Sequence, residues 1–272
     1  MPARYAVFGN PVSHSKSPQI HQMFAAQEGV EIRYERILAD NSPTAFQAAL
    51  DAFFGGGGSG ANITLPFKEL AVKAVGKLTG RARAAGAVNT LAADGSGLLG
   101  DNTDGAGLVQ DLTGNLGISL SGCRILLLGA GGAARGVILP LLEKQPESLT
   151  IANRTHSKAL ALADRFGTAA LPFAELGGGR FDLVVNATSG SVGGSVPDIP
   201  PDTFSGCHTA YDMFYTDGDT AFMRFAAQYG ARRTADGLGM LVCQAAESYR
   251  LWRGFTPDTR PVAAALRREV RR

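Results

Sequence analysis

Polar side chains in this chain collect in short stretches that each follow an apolar run. In Asn62-Ile63-Thr64-Leu65-Pro66-Phe67-Lys68, strand alternation puts Asn62 and Thr64 on one side and turns Ile63 and Leu65 toward apolar packing. The turn at Pro66 then delivers Lys68 at a helix start. A cation is disfavoured there by the helix dipole, so an ordered Lys68 calls for a nearby acid or an anionic ligand, with an ordinary surface lysine as the alternative. Ser13-His14-Ser15-Lys16-Ser17 follows another strand and turn. Alternate serines there can aim two hydroxyls at one carboxylate or at neighbouring hydroxyls, or can form a plain surface turn. Ala87-Val88-Asn89-Thr90 and Gly100-Asp101-Asn102-Thr103-Asp104 add further polar groups after short apolar runs. Asp104 precedes a helix, where capping competes with chemistry and can coexist with it. Tyr215 follows the run AYDMF, and Gln244 lies on the helix after DGLGML; a phenol and an amide suit hydroxyl recognition, although either can be structural.

A second kind of chemistry is written in CRILLLGAGGAARG, Cys123 to Gly136. Gly129-Ala130-Gly131-Gly132-Ala133-Ala134 matches G-x-G-x-x-[G/A] between a strand and a helix, the context in which that pattern cradles a dinucleotide pyrophosphate. Gly129 permits the tight turn, Gly131 lets the backbone approach the phosphates, and Ala134 is small enough for close helix–sheet packing. Unpaired N–H groups at the helix start face the phosphates. An NAD site carries an acid about 20 residues later. Here the segment is SLTIANRTHSK, with no acid between Ser148 and Lys158. Asn153-Arg154-Thr155 occupies the strand end, where Arg154 offers a fork, Thr155 a hydroxyl and Lys158, one turn later, a second charge to a 2′-phosphate, so NADP(H) is favoured over NAD(H). The alternative is a solvated basic loop.

These residues need elements to hold them. Strands are expected over Tyr5–Phe8, Glu31–Leu38, Ala61–Leu65, Ala87–Ala92 and Leu98–Gly100. Helices are expected from Pro18 to Glu28 and from Pro43 to Phe54, where Phe46, Leu50 and Phe53 recur at helical spacing. Gly55 to Gly58 reads as a wide turn, and Pro66 as a helix start. From about Asp104 a helix leads into a second unit, with strands at Cys123–Leu128, Leu149–Ala152, Leu183–Asn186 and Ala210–Met213. The run near Leu126 is continuously apolar, as suits a parallel strand covered on both faces. Helices over Gly237–Arg250 and Pro261–Arg271 close the chain. The whole reads as α/β, two α/β domains with the late helices returning to the first.

Composition narrows the functional classes. With 272 residues, 45% hydrophobic and 18% charged, the chain can bury a sizeable core, in one large domain or two modest ones. Lys and Arg number 26 against 24 Asp and Glu, and a net charge of +2 is too small to argue for nucleic acid. Three dispersed cysteines and four histidines show no metal-ligand spacing and no disulfide framework. The longest apolar stretch, Ile125 to Leu142, is interrupted by Arg135 and four glycines, unlike the roughly 20 unbroken residues of a membrane span. The start MPARYAVFGNPVSHSKS has no signal-peptide pattern, so a cytoplasmic setting is expected.

In order along nearly the whole chain, GNPVSHSKSP (9–18), NITLPFK (62–68), AGAVNT (85–90), GDNTDG (100–105), GAGGAARG (129–136), NRT (153–155), NATSG (186–190), YDMFY (211–215) and DGLGMLVCQ (236–244) resemble the shikimate dehydrogenases of the shikimate/quinate dehydrogenase family. NITLPFK with GDNTDG is the specific part. The resemblance implies reversible NADPH-dependent reduction of 3-dehydroshikimate to shikimate, in the chorismate and aromatic amino-acid route. It implies Lys68 and Asp104 as the catalytic pair, Ser15 and Ser17 on the substrate carboxylate, and Thr64, Asn89, Tyr215 and Gln244 on the ring substituents, with Asn62 supporting the pocket. Gly129, Ala130, Gly131, Gly132 and Ala133 would hold the pyrophosphate, and Asn153, Arg154, Thr155 and Lys158 the ribose phosphate. Thr188, Met213, Gly237 and Met240 would line the nicotinamide. The implied division is a substrate-binding and catalytic domain over 1–103, a Rossmann-like NADP-binding domain over 104–236, and C-terminal helices over 237–272 packing back on the first. Gly80 stands where the family often has an acid. The implied partners are the small-molecule substrate and no nucleic acid or membrane, with the chain a monomer or homodimer. The nearest competing reading is a quinate/shikimate dehydrogenase acting mainly in oxidation, with NAD; a dinucleotide sensor without Lys68 chemistry is more remote.

Overall fold

The computed structural model describes residues 1–95 and 97–270, which form two six-stranded sheets. The first is built from β1 (Ala3–Gly9), β2 (Ile32–Leu38), β3 (Gly58–Ile63), β4 (Lys77–Leu78), β5 (Thr90–Ala93) and β6 (Leu98–Asp101) in the order β2-β1-β3-β5-β6-β4. Strands β2, β1 and β3 are parallel, whereas β5 runs antiparallel to both β3 and β6. The N-terminal end of β5 therefore lies at the same edge as the C-terminal ends of β1, β3 and β6.

Alternation along β1 explains the layers. Ala6 and Phe8 face a core shared with α2 (Pro43–Gly55), where Phe46 stacks on Phe67 at 4.6 Å and Phe8 meets Phe53 edge-on at 5.7 Å. Each fully buried aromatic of this kind is worth roughly 1.5–3 kcal/mol. Tyr5, on the opposite face, joins Ile20 and Phe24 of α1 (Ser17–Glu28). The same core takes in residues from the end of the chain: α9 (Leu238–Arg253) contributes Leu238, Val242 and Tyr249, and α10 (Thr259–Val270) contributes Val262 and Leu266. Two short helices, α3 (Leu70–Lys73) and α4 (Gly80–Ala85), complete this half, the latter capped by the Thr79 hydroxyl accepting from the Ala82 N–H at 3.2 Å.

Helix α5 (Asp104–Gln110) leads to the second sheet. Its six strands are β7 (Arg124–Leu128), β8 (Ser148–Ala152), β9 (Ala169–Leu171), β10 (Leu183–Asn186), β11 (Thr209–Asp212) and β12 (Arg233–Ala235), all parallel, in the order β12-β11-β10-β7-β8-β9. That is the doubly wound order, with its switch point between β7 and β10. As expected for a strand covered on both sides, Ile125 and Leu127 face one core and Leu126 and Leu128 the other. Helices α6 (Gly132–Leu142), α7 (His156–Phe166) and α8 (Ala221–Gln228) lie between the strands. Pro140 inside α6 cannot donate to the Gly136 carbonyl, and α5 packs against that spot through Gly105. A Cβ on Gly105 would come within 2.4 Å of both the Gly136 oxygen and the Pro140 ring.

Three expectations need correction. The strand expected over Ala61–Leu65 runs Gly58–Ile63, and the glycine turn is correspondingly shorter. Gly58 and Gly60 belong to the sheet through their pairing with β1, and rings fill the space a side chain would need: Cβ atoms would meet the Phe53 ring at 2.3 Å and the Trp252 indole at 2.4 Å. The strand expected over Ala87–Ala92 is Thr90–Ala93, which leaves Asn89 just outside it. Lys68 sits in the turn after Pro66, two residues ahead of α3, and not at a helix start. Strands β4, β9 and β12, of two or three residues each, have no apolar alternation long enough to be legible.

Candidate active site

The edge of the first sheet gathers most of the polar candidates. Lys68 follows β3, Asn89 precedes the reversed strand β5, and Asp104 follows β6 as the first residue of α5. Lys68 Nζ donates to Asp104 Oδ2 at 2.7 Å, with the two side chains 20% and 8% exposed. Asn89 Nδ2 donates to the other carboxylate oxygen at 2.8 Å. The orientation of that amide is dictated by its far end, since Asn89 Oδ1 accepts from the Thr103 backbone N–H at 2.8 Å, a group that can only donate. Asp104 thus does not cap its helix; both oxygens serve the lysine and the amide, at a helix start that favours negative charge.

Gln244 reaches the same cluster from α9, its Oε1 3.3 Å from Asn89 Nδ2 and 3.4 Å from the Thr103 hydroxyl. Behind it, Ser248 Oγ lies 2.7 Å from Thr90 Oγ1 and accepts from Asn62 Nδ2 at 3.0 Å. Asn62 is used up internally: its Oδ1 accepts from the Tyr34 hydroxyl at 2.7 Å and lies 3.1 Å from His21 Nε2. Burial pushes the His21 pKa down to about 3, so the ring is neutral at neutral pH. With Nε2 the donor, Nδ1 is left as a buried acceptor without a partner among the described residues. Ser15 Oγ donates to Ser17 Oγ at 3.2 Å, close to Tyr34, whose phenol is pushed well above its usual value by burial and pulled back by the Ser17 hydroxyl and the Arg36 charge. Thr64 packs its methyl against Gly9, and its hydroxyl makes no bond among the described residues.

Candidates for the dinucleotide lie at the C-terminal edge of the second sheet. Gly129 follows β7 with φ +114°, and a Cβ there would stand 3.0 Å from the carbonyl carbon and oxygen of Ala187. Only glycine lets the turn pass the end of β10 at the switch point. Ala130 is half-buried, Gly131 and Ala133 are exposed, and no side chain caps α6 at Gly131, which leaves its first N–H groups facing outward. At the end of β8, Asn153 donates to the Thr155 carbonyl at 3.0 Å. Arg154, Thr155 and Lys158 are exposed, and no carboxylate pairs with either cation among the described residues. Thr155 opens α7 without capping it. Two unpaired cations and a free hydroxyl at an uncapped helix start are donors chemically suited to a phosphate monoester.

Across the switch point, the Thr188 N–H and hydroxyl both donate to Asn186 Oδ1, at 3.1 and 2.7 Å. Asn186 is itself held by Asp212, a buried carboxyl whose pKa is raised by burial and which also accepts from Ser191 and Thr220. Gly237 abuts Met213, whose carbonyl oxygen would be 2.2 Å from a Cβ. Met240 is 6% exposed and packs into the second core. Met213 and Tyr215 part company: the former packs on the second core, the latter on the α1–α9 core of the first half. The ribose-phosphate candidates and Met213 therefore stand on opposite sides of β7. A contact across the two halves joins them near Lys68, where Glu69 pairs with Arg135 in the first turn of α6.

Ser248, Tyr34 and His21 are absent from the motif-based candidates, and Thr90 and Thr103 stand in the motifs without an assigned role. Ser248 was within reach of helix periodicity, since it stands one turn after Gln244 on the same face; His21 and Tyr34 carry no such signal. Among the described residues, no group of three or more His, Cys, Asp or Glu is arranged to hold a metal ion, and no helix is long and apolar enough to cross a membrane.

Comparison with known proteins meets this geometry from outside. Residues 7–91 match the shikimate dehydrogenase substrate binding domain, 110–192 the shikimate/quinate 5-dehydrogenase family, and 237–267 the shikimate 5′-dehydrogenase C-terminal domain. Shikimate dehydrogenase (NADP(+)) of Dechloromonas aromatica (strain RCB) is 54% identical over 270 residues, 98% of each chain. Among solved structures, an Ael1 enzyme from Pseudomonas putida superposes with a TM-score of 0.93 at 43% identity, over 97% of this chain and 98% of that one. Shikimate 5-dehydrogenase from Thermus thermophilus, in complex with NADP(H) and shikimate, does so with 0.89 at 36% identity, over 98% and 99%. Motif order, paired sheets and identity along almost the full length converge: the chain belongs to the shikimate dehydrogenase family.

Proposed function

We propose that the chain catalyses the reversible NADPH-dependent reduction of 3-dehydroshikimate to shikimate. The observation that carries the proposal is the Lys68–Asp104 ion pair, locked by Asn89 at the edge where Ser15, Ser17, Thr64 and Gln244 also collect. When bound, the dinucleotide supplies a hydride to the ketone carbon. Negative charge then develops on the carbonyl oxygen, where Lys68 Nζ donates a hydrogen bond and passes a proton. Asp104 keeps Nζ in place through Oδ2, and in oxidation the pair takes up the alcohol proton as a coupled unit. Ser15 and Ser17 hold the carboxylate; Thr64, Asn89, Gln244 and Tyr215 select the ring hydroxyls, and Asn62 braces them from behind.

The dinucleotide is assigned to the β7 turn, its 2′-phosphate to Arg154, Thr155 and Lys158 with Asn153 shaping the loop, and its nicotinamide to the neighbourhood of Thr188, Met213, Gly237 and Met240. Support comes from the two unpaired cations and the absence of any acid between Ser148 and Lys158. On this assignment residues 1–103 bind substrate, 104–236 bind the dinucleotide, and 237–272 brace the substrate side through α9 and α10. Every proposed group comes from a single chain, so a monomer or a homodimer serves equally. A cytoplasmic setting accompanies the proposal, supported by three cysteines without a disulfide.

The test is the initial rate of NADP⁺ reduction with shikimate, beside NAD⁺ and quinate. Rapid turnover confined mainly to shikimate with NADP⁺ is expected. Preference for quinate with NAD⁺ would replace the proposal with the quinate reading, and no turnover by folded, NADP-binding protein would end it.

A further inference from the structure

Arg36 is exposed on β2, the edge strand of the first sheet, two residues beyond Tyr34 and on the same face. Its Nε and Nη2 both donate to the Ser15 carbonyl, at 3.0 and 2.6 Å. That carbonyl belongs to the loop whose two hydroxyls are tied together, Ser15 Oγ also accepting from the Ser17 N–H at 3.3 Å. The nearby Lys16 is neutralised by Glu269 at 3.6 Å. Arg36 pairs with no carboxylate among the described residues, and its Nη1 makes no hydrogen bond there.

A planar fork closing on one carbonyl fixes both the position of a loop and the place of a charge. The two serines can donate hydrogen bonds to a carboxylate, but hydroxyls carry no charge and would also accept an amide or an ester. A full positive charge beside them makes the difference between an anion and its neutral isostere.

We propose that Arg36 is a specificity-determining positioning residue: it clamps the Ser15–Ser17 loop through the Ser15 carbonyl and supplies the positive charge that makes this pocket select a carboxylate-bearing substrate. The proposal rests on the assignment of the substrate carboxylate to Ser15 and Ser17. Because the guanidinium is exposed, its effect is screened by salt and is strongest at low ionic strength.

The test compares the wild type with Arg36→Gln, Arg36→Lys and Ser17→Ala. It reads KM and kcat for shikimate, and the inhibition constant of shikimate carboxamide against shikimate, at low and high salt. Arg36→Gln should raise KM for shikimate about tenfold at low salt, the scale of one charge-assisted contact. It should change kcat far less, weaken carboxamide inhibition much less than shikimate binding and flatten the salt dependence of KM. Arg36→Lys, which keeps the charge without the fork, should recover most of the salt dependence. An equal loss of affinity for acid and carboxamide would mean that Arg36 merely shapes the loop and would overturn the proposal, as would an unchanged KM. If Ser17→Ala leaves the binding of both acid and carboxamide unchanged while Arg36→Gln still discriminates, the Ser15–Ser17 carboxylate assignment fails, not the charge of Arg36.

Discussion

The edges of the two sheets solve different problems. At the first, the charged and amide groups already have partners: Lys68 has Asp104, Asp104 has Asn89, and Asn89 has the Thr103 backbone. At the second, Arg154 and Lys158 stand exposed without a carboxylate, next to helix starts that no side chain caps. A site that must move a proton to one atom needs its groups held before the substrate arrives, because misplacement costs rate. A site that recognises a dianion can leave its cations in water until the anion replaces the solvent. Internal hydrogen bonds hold the first arrangement; on the proposed assignment, the dinucleotide phosphate completes the second.

Removing a group from each edge should therefore do different things. Lys68→Ala should lower kcat by about 10²–10⁴, the range of a lost general acid, with a smaller change in shikimate affinity. Near-normal turnover in steady-state assays would break the contrast at its strongest point. Replacing Arg154 and Lys158 together by alanine should leave kcat near its wild-type level at saturation. It should raise KM for NADPH by roughly 10- to 100-fold, as expected for lost charge-assisted phosphate contacts, and hardly move that for NADH. Equal losses for both cofactors would show that the basic loop does not read the 2′-phosphate.

The smallest effect concerns the support behind the first edge. His21 is fully buried, and burial brings its pKa down to about 3 from an unfolded value near 6.5. Between those values the unfolded chain binds the extra proton, so stability rises with pH through this window and is lost as pH falls below about 6.5. Denaturant unfolding at pH 7 and pH 5 should show this for the wild type, with a slope approaching about 1.4 kcal/mol per pH unit for one proton. His21→Gln, although less stable at pH 7, should show a correspondingly shallower decline. Parallel declines in the two proteins would mean that His21 is not the group being titrated.

Legibility differed along the same line. Gly129 could be assigned from sequence because a strand, a glycine and a helix in immediate succession leave the backbone one way through, and the structure shows the Ala187 backbone where a Cβ would be. Lys68 could be singled out but not placed, since the residues from Pro66 onward make a turn before α3 begins. Gly58 and Gly60 read as loop because glycine runs usually are, yet both pair with β1 beneath the Phe53 and Trp252 rings. Trp252 is 192 positions away from Gly60, and no local pattern records such a pairing.

Local sequence sufficed for the longer strands and helices and for the glycine turn, though not for β4, β9 and β12. Apolar periodicity, turn residues and the glycine fingerprint act over a few neighbours, where backbone sterics and hydrogen-bond geometry decide. Which groups meet depends on long-range packing. The reversal of β5 brings Asn89 to the edge where Lys68 and Asp104 end their strands, and the return of α9 sets Gln244 and Ser248 behind them. Those contacts join residues up to 186 apart, as with Asn62 and Ser248. They depend on burial of the shared α1–α9–α10 core, a long-range term that no window of the chain contains.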